Sequence, residues 1–279
     1  MKNITSINTN RFVLKNTAPY HVFIWLGKNF IQLAVSNKEQ AKIEALKTYH
    51  KEKGNITKRE ALEVFEQQIV KNAKHCYVGL ESKKFTLVPT ELFSSENKSD
   101  YLKSIYDIAK EETFSSQKIT PVKAHSIFTL KKGTASLLEK EFKNCTILHA
   151  PSTLLIAYQQ LVPPNKKNIS FVRLQQNEIL VTVFQKKKLL LHTSFPIENL
   201  EDALFQYFNA IKELGIDKKS ISLNTLGNHA EMDRFNSIVG KNVENCKYVN
   251  RLPILQYNDE VFSHPTHHFF NLFSLVLCA

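Results

Sequence analysis

The strongest constraint on the fold is a run of three neighbouring strand patterns in the second half of the chain, within NISFVRLQQNEILVTVFQKKKLLLHTSF. The predicted strands are Ile169–Leu174, Ile179–Phe184 and Leu189–Phe195. The polar turns at 175–178 and 186–188 are short, so the three strands should form an antiparallel meander. A helix follows, capped by Asn199 and ended by Gly215, and SISLNTLG then predicts a further strand.

The first half repeats this order of elements without repeating its residues. HVFIWL and FIQLAVS are joined by a turn at Gly27 and followed by KIEALKTYH, which predicts a second meander. Thr57 and Glu60 form a capping box that starts a helix, and CYVGL is the next strand. Strands His21–Leu26 and Ile179–Phe184 are apolar on both faces, which is typical of sheets covered by helices. The sequence therefore predicts an α/β protein with two mixed sheets and flanking helices.

A linker signal divides the chain into two predicted domains. Pro163-Pro164 within LVPPNKKN separates residues 1–162 from residues 163–279, and a length of 279 residues suits two moderate domains. The first half contains additional strand and helix patterns. These predict an inserted or appended subdomain at about residues 81–149.

The charge is positive and uneven. The net charge is +11; residues 1–149 hold 24 Lys and Arg against 15 Asp and Glu, and residues 150–279 hold 13 against 11. A nucleic-acid-binding module on the basic first half is therefore one hypothesis. Only five of the 37 basic residues are Arg, whereas proteins that read phosphates and base edges rely on the planar Arg fork. This composition disfavours nucleic-acid binding.

Other patterns suggest a protein of a reducing compartment without a metal site. The N-terminal MKNITSINTN has no apolar core typical of a secretory signal, and the four cysteines have no disulfide or zinc spacing. His264, His267 and His268 lack a Cys or acid that would complete a zinc motif. The C-terminal THHFFNLFSLVLCA has no Lys or Arg, so it predicts a buried closing helix rather than a membrane-binding one, with dimerisation as a lesser alternative. We expect a cytoplasmic protein that does not insert into a membrane.

The order of elements resembles the duplicated ribonuclease H-like unit of the superfamily that contains actin, Hsp70 and sugar kinases. More specifically, LVPTELF at Leu87–Phe93, the following Tyr101-Leu102 and the C-terminal HHFFNLFSLVL resemble a bacterial family, domain of unknown function 3822. The resemblance covers most of the chain. It implies an actin-like ATPase fold with no assigned activity.

In active members of that superfamily, one strand–turn–strand loop per half grips phosphate through an Asp-x-Gly type motif, and a third, Gly-rich loop contacts adenosine. The Asp residues organise magnesium and the attacking water. The resemblance assigns these loops to Gly27-Lys28-Asn29, Gln175-Gln176-Asn177 and Asn224–Asn228. The first and third keep one Gly each, none holds an Asp, and no acid precedes Glu39. The nucleotide-binding candidates are then Gly27, Lys28, Asn29, Asn177, Asn224 and Gly227.

The six aspartates of the chain are expected to lie away from the phosphate end of either sheet. Because both first strands also lack acids, a ribonuclease H-like nuclease is excluded. We therefore expect no catalytic residues, no metal and no cofactor, with ATP and magnesium as a disfavoured alternative.

The leading hypothesis is a degenerate actin-like-fold protein that acts as a cytoplasmic scaffold or regulator through contacts with an unknown protein partner. The enzyme-class alternative is a divergent ATP-binding protein or ATPase that uses the interdomain cleft, with Lys28, Asn177 and the Asn224–Gly227 loop. The second alternative is the nucleic-acid-binding module described above.

Overall fold

The structure is a computed structural model, and it describes residues 2–8, 20–37, 42–65, 67–141, 144–257, 261 and 264–279. The chain separates into two compact units. The first comprises Met1–Ile156, Pro253–His264 and Asn271–Ala279, and the second comprises Ala157–Leu252 and Pro265–Phe270. These units differ from the predicted halves because two C-terminal segments join the first unit. The duplication boundary at 162/163 stays a prediction.

The described residues form fifteen strands and eight α-helices. The strands are β1 (Lys2–Asn8), β2 (His21–Leu26), β3 (Phe30–Asn37), β4 (Lys42–His50), β5 (His75–Leu80), β6 (Phe85–Pro89), β7 (Glu112–Ile119), β8 (Ala124–Lys131), β9 (Cys145–His149), β10 (Asn168–Gln175), β11 (Glu178–Gln185), β12 (Lys188–Pro196), β13 (Ile221–Leu226), β14 (Asn245–Tyr248) and β15 (Gln256–Tyr257). The helices are α1 (Lys58–Phe65), α2 (Gln68–Lys71), α3 (Lys98–Lys103), α4 (Lys132–Glu141), α5 (Ala150–Leu161), α6 (Leu200–Glu213), α7 (Met232–Gly240) and α8 (Thr266–Val276).

Each unit contains a sheet with the same strand order. The order is β4-β3-β2-β5-β9 in the first unit and β12-β11-β10-β13-β14 in the second, and β1 and β15 also pair with β4. In both, three strands form an antiparallel meander, and two later strands run parallel to the first strand of the meander. The predicted repetition of element order is confirmed. The predicted helix after Thr57 is present, although it is divided into α1 and α2.

A smaller sheet in the first unit, of order β6-β8-β7, lies within residues 81–149, for which an inserted subdomain stays a prediction. Leu102 of α3 is fully buried beside Val88 and Ile127. The Tyr101 hydroxyl donates to the Leu92 carbonyl at 2.6 Å and accepts from the Ser94 backbone N–H at 3.1 Å. The LVPTELF segment and its Tyr-Leu pair therefore hold this subdomain together.

The central strands and the last helix are deeply buried. Strands β2 and β11 are buried at nearly every position, as their apolar sequences predict. In α8, all residues from Phe269 to Leu275 are buried, so the predicted closing helix is confirmed. No helix within the described ranges is long and apolar enough to cross a membrane.

Candidate functional site

The first turn assigned to phosphate lies between β2 and β3, and the ring of Phe30 packs against it. A Cβ added to Gly27 would lie 2.3 Å from the Phe30 ring, and the Gly27 N–H donates to the Phe30 carbonyl at 3.0 Å. The Trp25 and Phe30 rings pack edge to face, with their centroids 4.6 Å apart. Gly27 thus packs directly against the Phe30 ring, which an added Cβ would have to displace.

The other two residues of this turn are fixed by the segment that follows β4. The carbonyls of Lys28 and Asn29 accept hydrogen bonds from the backbone N–H groups of Ile56 at 2.7 Å and Lys51 at 2.8 Å. The Asn29 amide also lies 3.1 Å from His50 Nε2. The Lys28 side chain is exposed. It is the one charged group of the turn that a ligand could reach.

The second turn, between β10 and β11, is flanked by a buried ion pair. Arg173 Nη2 lies 3.1 Å from Glu178 Oε1, and the two side chains are 0% and 8% exposed. Asn177 is exposed at the turn, and its carbonyl accepts from the Ile197 N–H at 3.3 Å. The nearest acid to this turn is therefore engaged with an arginine of the adjacent strand.

The third loop begins at Gly227, directly after β13. Gly227 has φ +116°, and an added Cβ would lie 2.6 Å from the Leu174 carbonyl oxygen, so only glycine fits here. The Gly227 N–H donates to the His267 carbonyl at 3.0 Å. Asn224 is buried three residues earlier, within β13. Of the nucleotide-binding candidates, Asn177 and Gly227 lie at the carboxyl edge of the second unit's sheet, and Asn224 does not reach it.

An open pocket of about 270 Å³ adjoins Gly227 within the second unit. Its lining residues are Gly227, Asn228, His229, Met232, Asp233, Tyr248, His267 and His268. The Tyr248 ring stacks on the His267 ring with centroids 3.8 Å apart. The Tyr248 hydroxyl also hydrogen bonds to Asp233. Each ring therefore already covers one face of the other.

Burial and neighbouring charges shift the pKa values of three groups that line the pocket. Burial and the neighbouring His268 lower the pKa of His267 to about 4, although Asp233 opposes this shift. Burial also lowers the pKa of His229. Burial, reinforced by Asp233, raises the pKa of Tyr248 to about 12. At neutral pH these two imidazoles are uncharged, and in the part of the chain that the structure describes no three His, Cys, Asp or Glu side chains come together as a metal site.

Two features of this pocket differ from what the sequence indicated. The expectation that no aspartate lies at the phosphate end is wrong for Asp202 and Asp233, because α6 and α7 both start at this edge of the sheet. His267 and His268 line the pocket, although their spacing lacks the Cys or acid of a zinc motif. The unusual H-x-x-H-H spacing was the signal that could have identified them.

The carboxyl edge of the second unit's sheet is acidic. It carries six of the nine acidic residues in 157–252, namely Glu178, Glu198, Glu201, Asp202, Glu231 and Asp233. Arg234 lies 3.2 Å from Glu231 and 3.6 Å from Glu201. Fixed carboxylates at this edge disfavour a negatively charged ligand.

The sheets of the two units are those of an actin-like ATPase fold. A protein of Bacteroides thetaiotaomicron with this fold and unknown function has a TM-score of 0.78 at 15% identity, over 94% of this chain and 97% of that one. The structure of the PilM–PilN type IV pilus biogenesis complex has a TM-score of 0.60 at 11% identity, over 92% of this chain and 98% of that one. The ethanolamine utilization protein EutJ from Carboxydothermus hydrogenoformans has a TM-score of 0.50 at 9% identity, over 94% of this chain and 90% of that one.

A family model described as "Protein of unknown function (DUF3822)" matches residues 9–246. The chain belongs to this family. No curated protein matches the sequence.

Proposed function

We propose that this protein is a degenerate member of the actin-like ATPase fold, which acts in the cytoplasm as a scaffold or regulator through protein contacts. The observation that carries the proposal is that each loop assigned to nucleotide is engaged by groups of its own unit. Phe30 covers the Gly27 turn, Arg173 engages the acid beside Asn177, and Tyr248 stacks on His267 beside Gly227. A protein that hydrolyses ATP keeps such loops open for phosphate and metal.

Charge supports the same proposal. The carboxyl edge of the second unit's sheet concentrates carboxylates, and its buried Arg173 is already paired with Glu178. A triphosphate brought to this edge meets more carboxylates than cations, whereas a triphosphate site normally supplies cations and backbone N–H groups.

The size of the pocket beside Gly227 is a further argument. Ligand pockets for small molecules usually enclose about 300–1,000 Å³. The pocket here is smaller, about 270 Å³, and the two rings that could sandwich a purine contact each other. It is therefore poorly suited to a nucleoside.

The scaffold role is supported by analogy of fold alone. One structure with a similar fold is that of the PilM–PilN type IV pilus biogenesis complex. The fold is therefore compatible with a role in a protein assembly.

The proposal is tested by the thermal unfolding midpoint in the presence of ATP or ADP, with and without magnesium. A ligand that binds the native state raises this midpoint in proportion to the logarithm of its concentration. We expect no concentration-dependent rise. A saturable, magnesium-dependent rise would contradict the proposal.

The divergent ATP-binding alternative is favoured by one observation, the exposed Lys28 at the first turn. The matched control is therefore Lys28→Ala, which leaves the turn's backbone hydrogen bonds in place. If a nucleotide does raise the midpoint of the native chain, loss of that rise in Lys28→Ala would assign the binding to this turn.

A further inference from the structure

Four segments meet at the amino-terminal edge of the second unit's sheet, opposite the acidic edge. They are residues 162–167 before β10, 185–188 between β11 and β12, 212–220 before β13, and 240–244 before β14. The strand register brings them together, because Asn168 pairs with both Gln185 and Ile221, and Gln185 pairs with Lys188.

This edge holds nine of the ten lysines in residues 157–252, and we call these nine residues the lysine edge. They are Lys166, Lys167, Lys186, Lys187, Lys188, Lys212, Lys218, Lys219 and Lys241. All are exposed except Lys166, which is half-buried. Only three acids, Glu213, Asp217 and Glu244, lie in the same segments. The second half therefore has nearly equal numbers of basic and acidic residues, but its unit has one basic edge and one acidic edge.

Two of the three acids are engaged locally. Glu244 accepts from Lys166 Nζ at 2.7 Å, which lowers the pKa of that carboxyl. Asp217 accepts from the Lys219 backbone N–H at 3.0 Å. Lys219 Nζ in turn donates to the Lys241 carbonyl at 2.7 Å. The ammonium groups of Lys166 and Lys219 are therefore held in place, so less side-chain entropy is lost there when a partner binds.

The turn between β11 and β12 shows that lysine is placed here against backbone preference. Lys186 and Lys187 have φ +48° and +67°, and every non-glycine residue with positive φ within the described ranges is a lysine. A two-residue hairpin of this kind favours Asn-Gly, because other residues are strained there. The Lys186 N–H donates to the Lys167 carbonyl at 2.9 Å, which joins this turn to the segment before β10.

We propose that the lysine edge is the docking surface for an acidic, carboxylate-rich segment of a partner protein. The inference deepens the proposed function and rests on it, because it names the chemistry of the partner through which the protein would act. Ammonium groups on flexible stems suit clusters of carboxylates as point charges.

Two other polyanions fit this surface less well. The edge has no arginine for bidentate contacts to phosphate or bases, and no exposed aromatic ring for base stacking, which disfavours nucleic acid. Its four segments also expose no apolar side chain except Pro163 and Pro164, so nothing is present to insert into a membrane.

The test is fluorescence anisotropy of a fluorescein-labelled peptide of alternating glutamate and serine, titrated with the full chain at low and physiological salt. The informative variant is Lys186→Asn combined with Lys187→Gly, because it removes two charges while relieving backbone strain. We expect a higher unfolding midpoint together with roughly tenfold weaker peptide binding. A variant that is more stable yet binds less cannot have lost binding through unfolding.

The matched control is Lys53→Gln with Lys110→Gln, which removes two exposed charges from the first unit. It should leave peptide affinity unchanged. The inference is overturned if the control weakens binding as much as the turn variant, if no peptide binds at low salt, or if RNA or phosphatidylserine vesicles bind more tightly than the peptide. Because the titration contains no nucleotide, its outcome is independent of whether the protein binds ATP.

Discussion

Replacing Gly27 by alanine tests whether the first turn is kept for packing or for phosphate. The new Cβ would lie 2.3, 2.4 and 2.8 Å from three atoms of the Phe30 ring, all below normal contact distance. The ring can move away only by giving up its edge-to-face contact with Trp25, in which the two ring centroids lie 4.6 Å apart. Gly27→Ala should therefore strain this hairpin.

The magnitude follows from the cost of overpacking. Forcing one extra methyl into a filled space costs about 1–3 kcal/mol, so we expect a loss of about 2 kcal/mol for Gly27→Ala. Phe30→Ala should cost a similar amount, about 2 kcal/mol, because the ring is only half-buried. In the double variant the alanine at 27 occupies space that the ring has left, so its own cost should fall close to zero.

Urea unfolding of the four proteins gives the coupling energy as a double-mutant cycle. We expect the double variant to be about as stable as Phe30→Ala alone, with a coupling of about 2 kcal/mol between the two positions. Strictly additive losses would refute the reasoning. They would mean that the ring of Phe30 does not account for glycine at position 27.

Three further predictions concern the second unit. Gly227→Ala should destabilise the protein by about 3 kcal/mol in urea unfolding, because it combines a strained φ with a contact to the rigid Leu174 carbonyl; a loss below about 1 kcal/mol would refute this. Arg173→Met should cost about 3–5 kcal/mol by removing the guanidinium that lies 3.1 Å from the buried Glu178, and adding Glu178→Leu should recover most of it; no recovery would argue against the ion pair. The low pKa of His267 stabilises the fold above pH 6.5, and this contribution is lost as the pH falls towards 4. The difference in thermal unfolding midpoint between the native chain and His267→Gln should therefore shrink as the pH falls from 6.5 to 4. A difference that stays constant would contradict the pKa shift.

The meanders, the helix caps and the buried last helix could be predicted because their causes are local. Thr57 and Glu60 illustrate this, since the predicted capping box forms with the Thr57 N–H 2.8 Å from Glu60 Oε2. Likewise, the Asn199 side chain accepts from the Asp202 N–H at 2.8 Å and starts α6 as the sequence indicates. Such contacts join residues three apart, so their signal is present in the sequence itself.

Strands β1 and β7 could not be predicted, because their polar sequences show no alternation of apolar residues. In β7, Gln117 accepts from the backbone N–H of His149, a residue 32 positions away. The strand exists because β8, the next strand of the chain, pairs with it through the backbone, and backbone pairing leaves no apolar period in the sequence.

The candidate site was only partly predictable for the same reason. Tyr248 and His267 meet through the fold, and neither belongs to a motif that specifies a ring stack. The two charged edges of the second unit were also hidden. The charges of its lysines and carboxylates nearly cancel in the net charge of the sequence, and only the strand register shows that they lie at opposite edges of the sheet.

The most direct test of the central claim is isothermal titration of the full chain with ATP and magnesium, accompanied by a phosphate-release assay on the same sample. The account predicts no saturable heat and no phosphate release above that of the buffer, because the loops assigned to nucleotide are engaged by Phe30, Arg173 and the Tyr248–His267 stack. Micromolar binding accompanied by hydrolysis would contradict it.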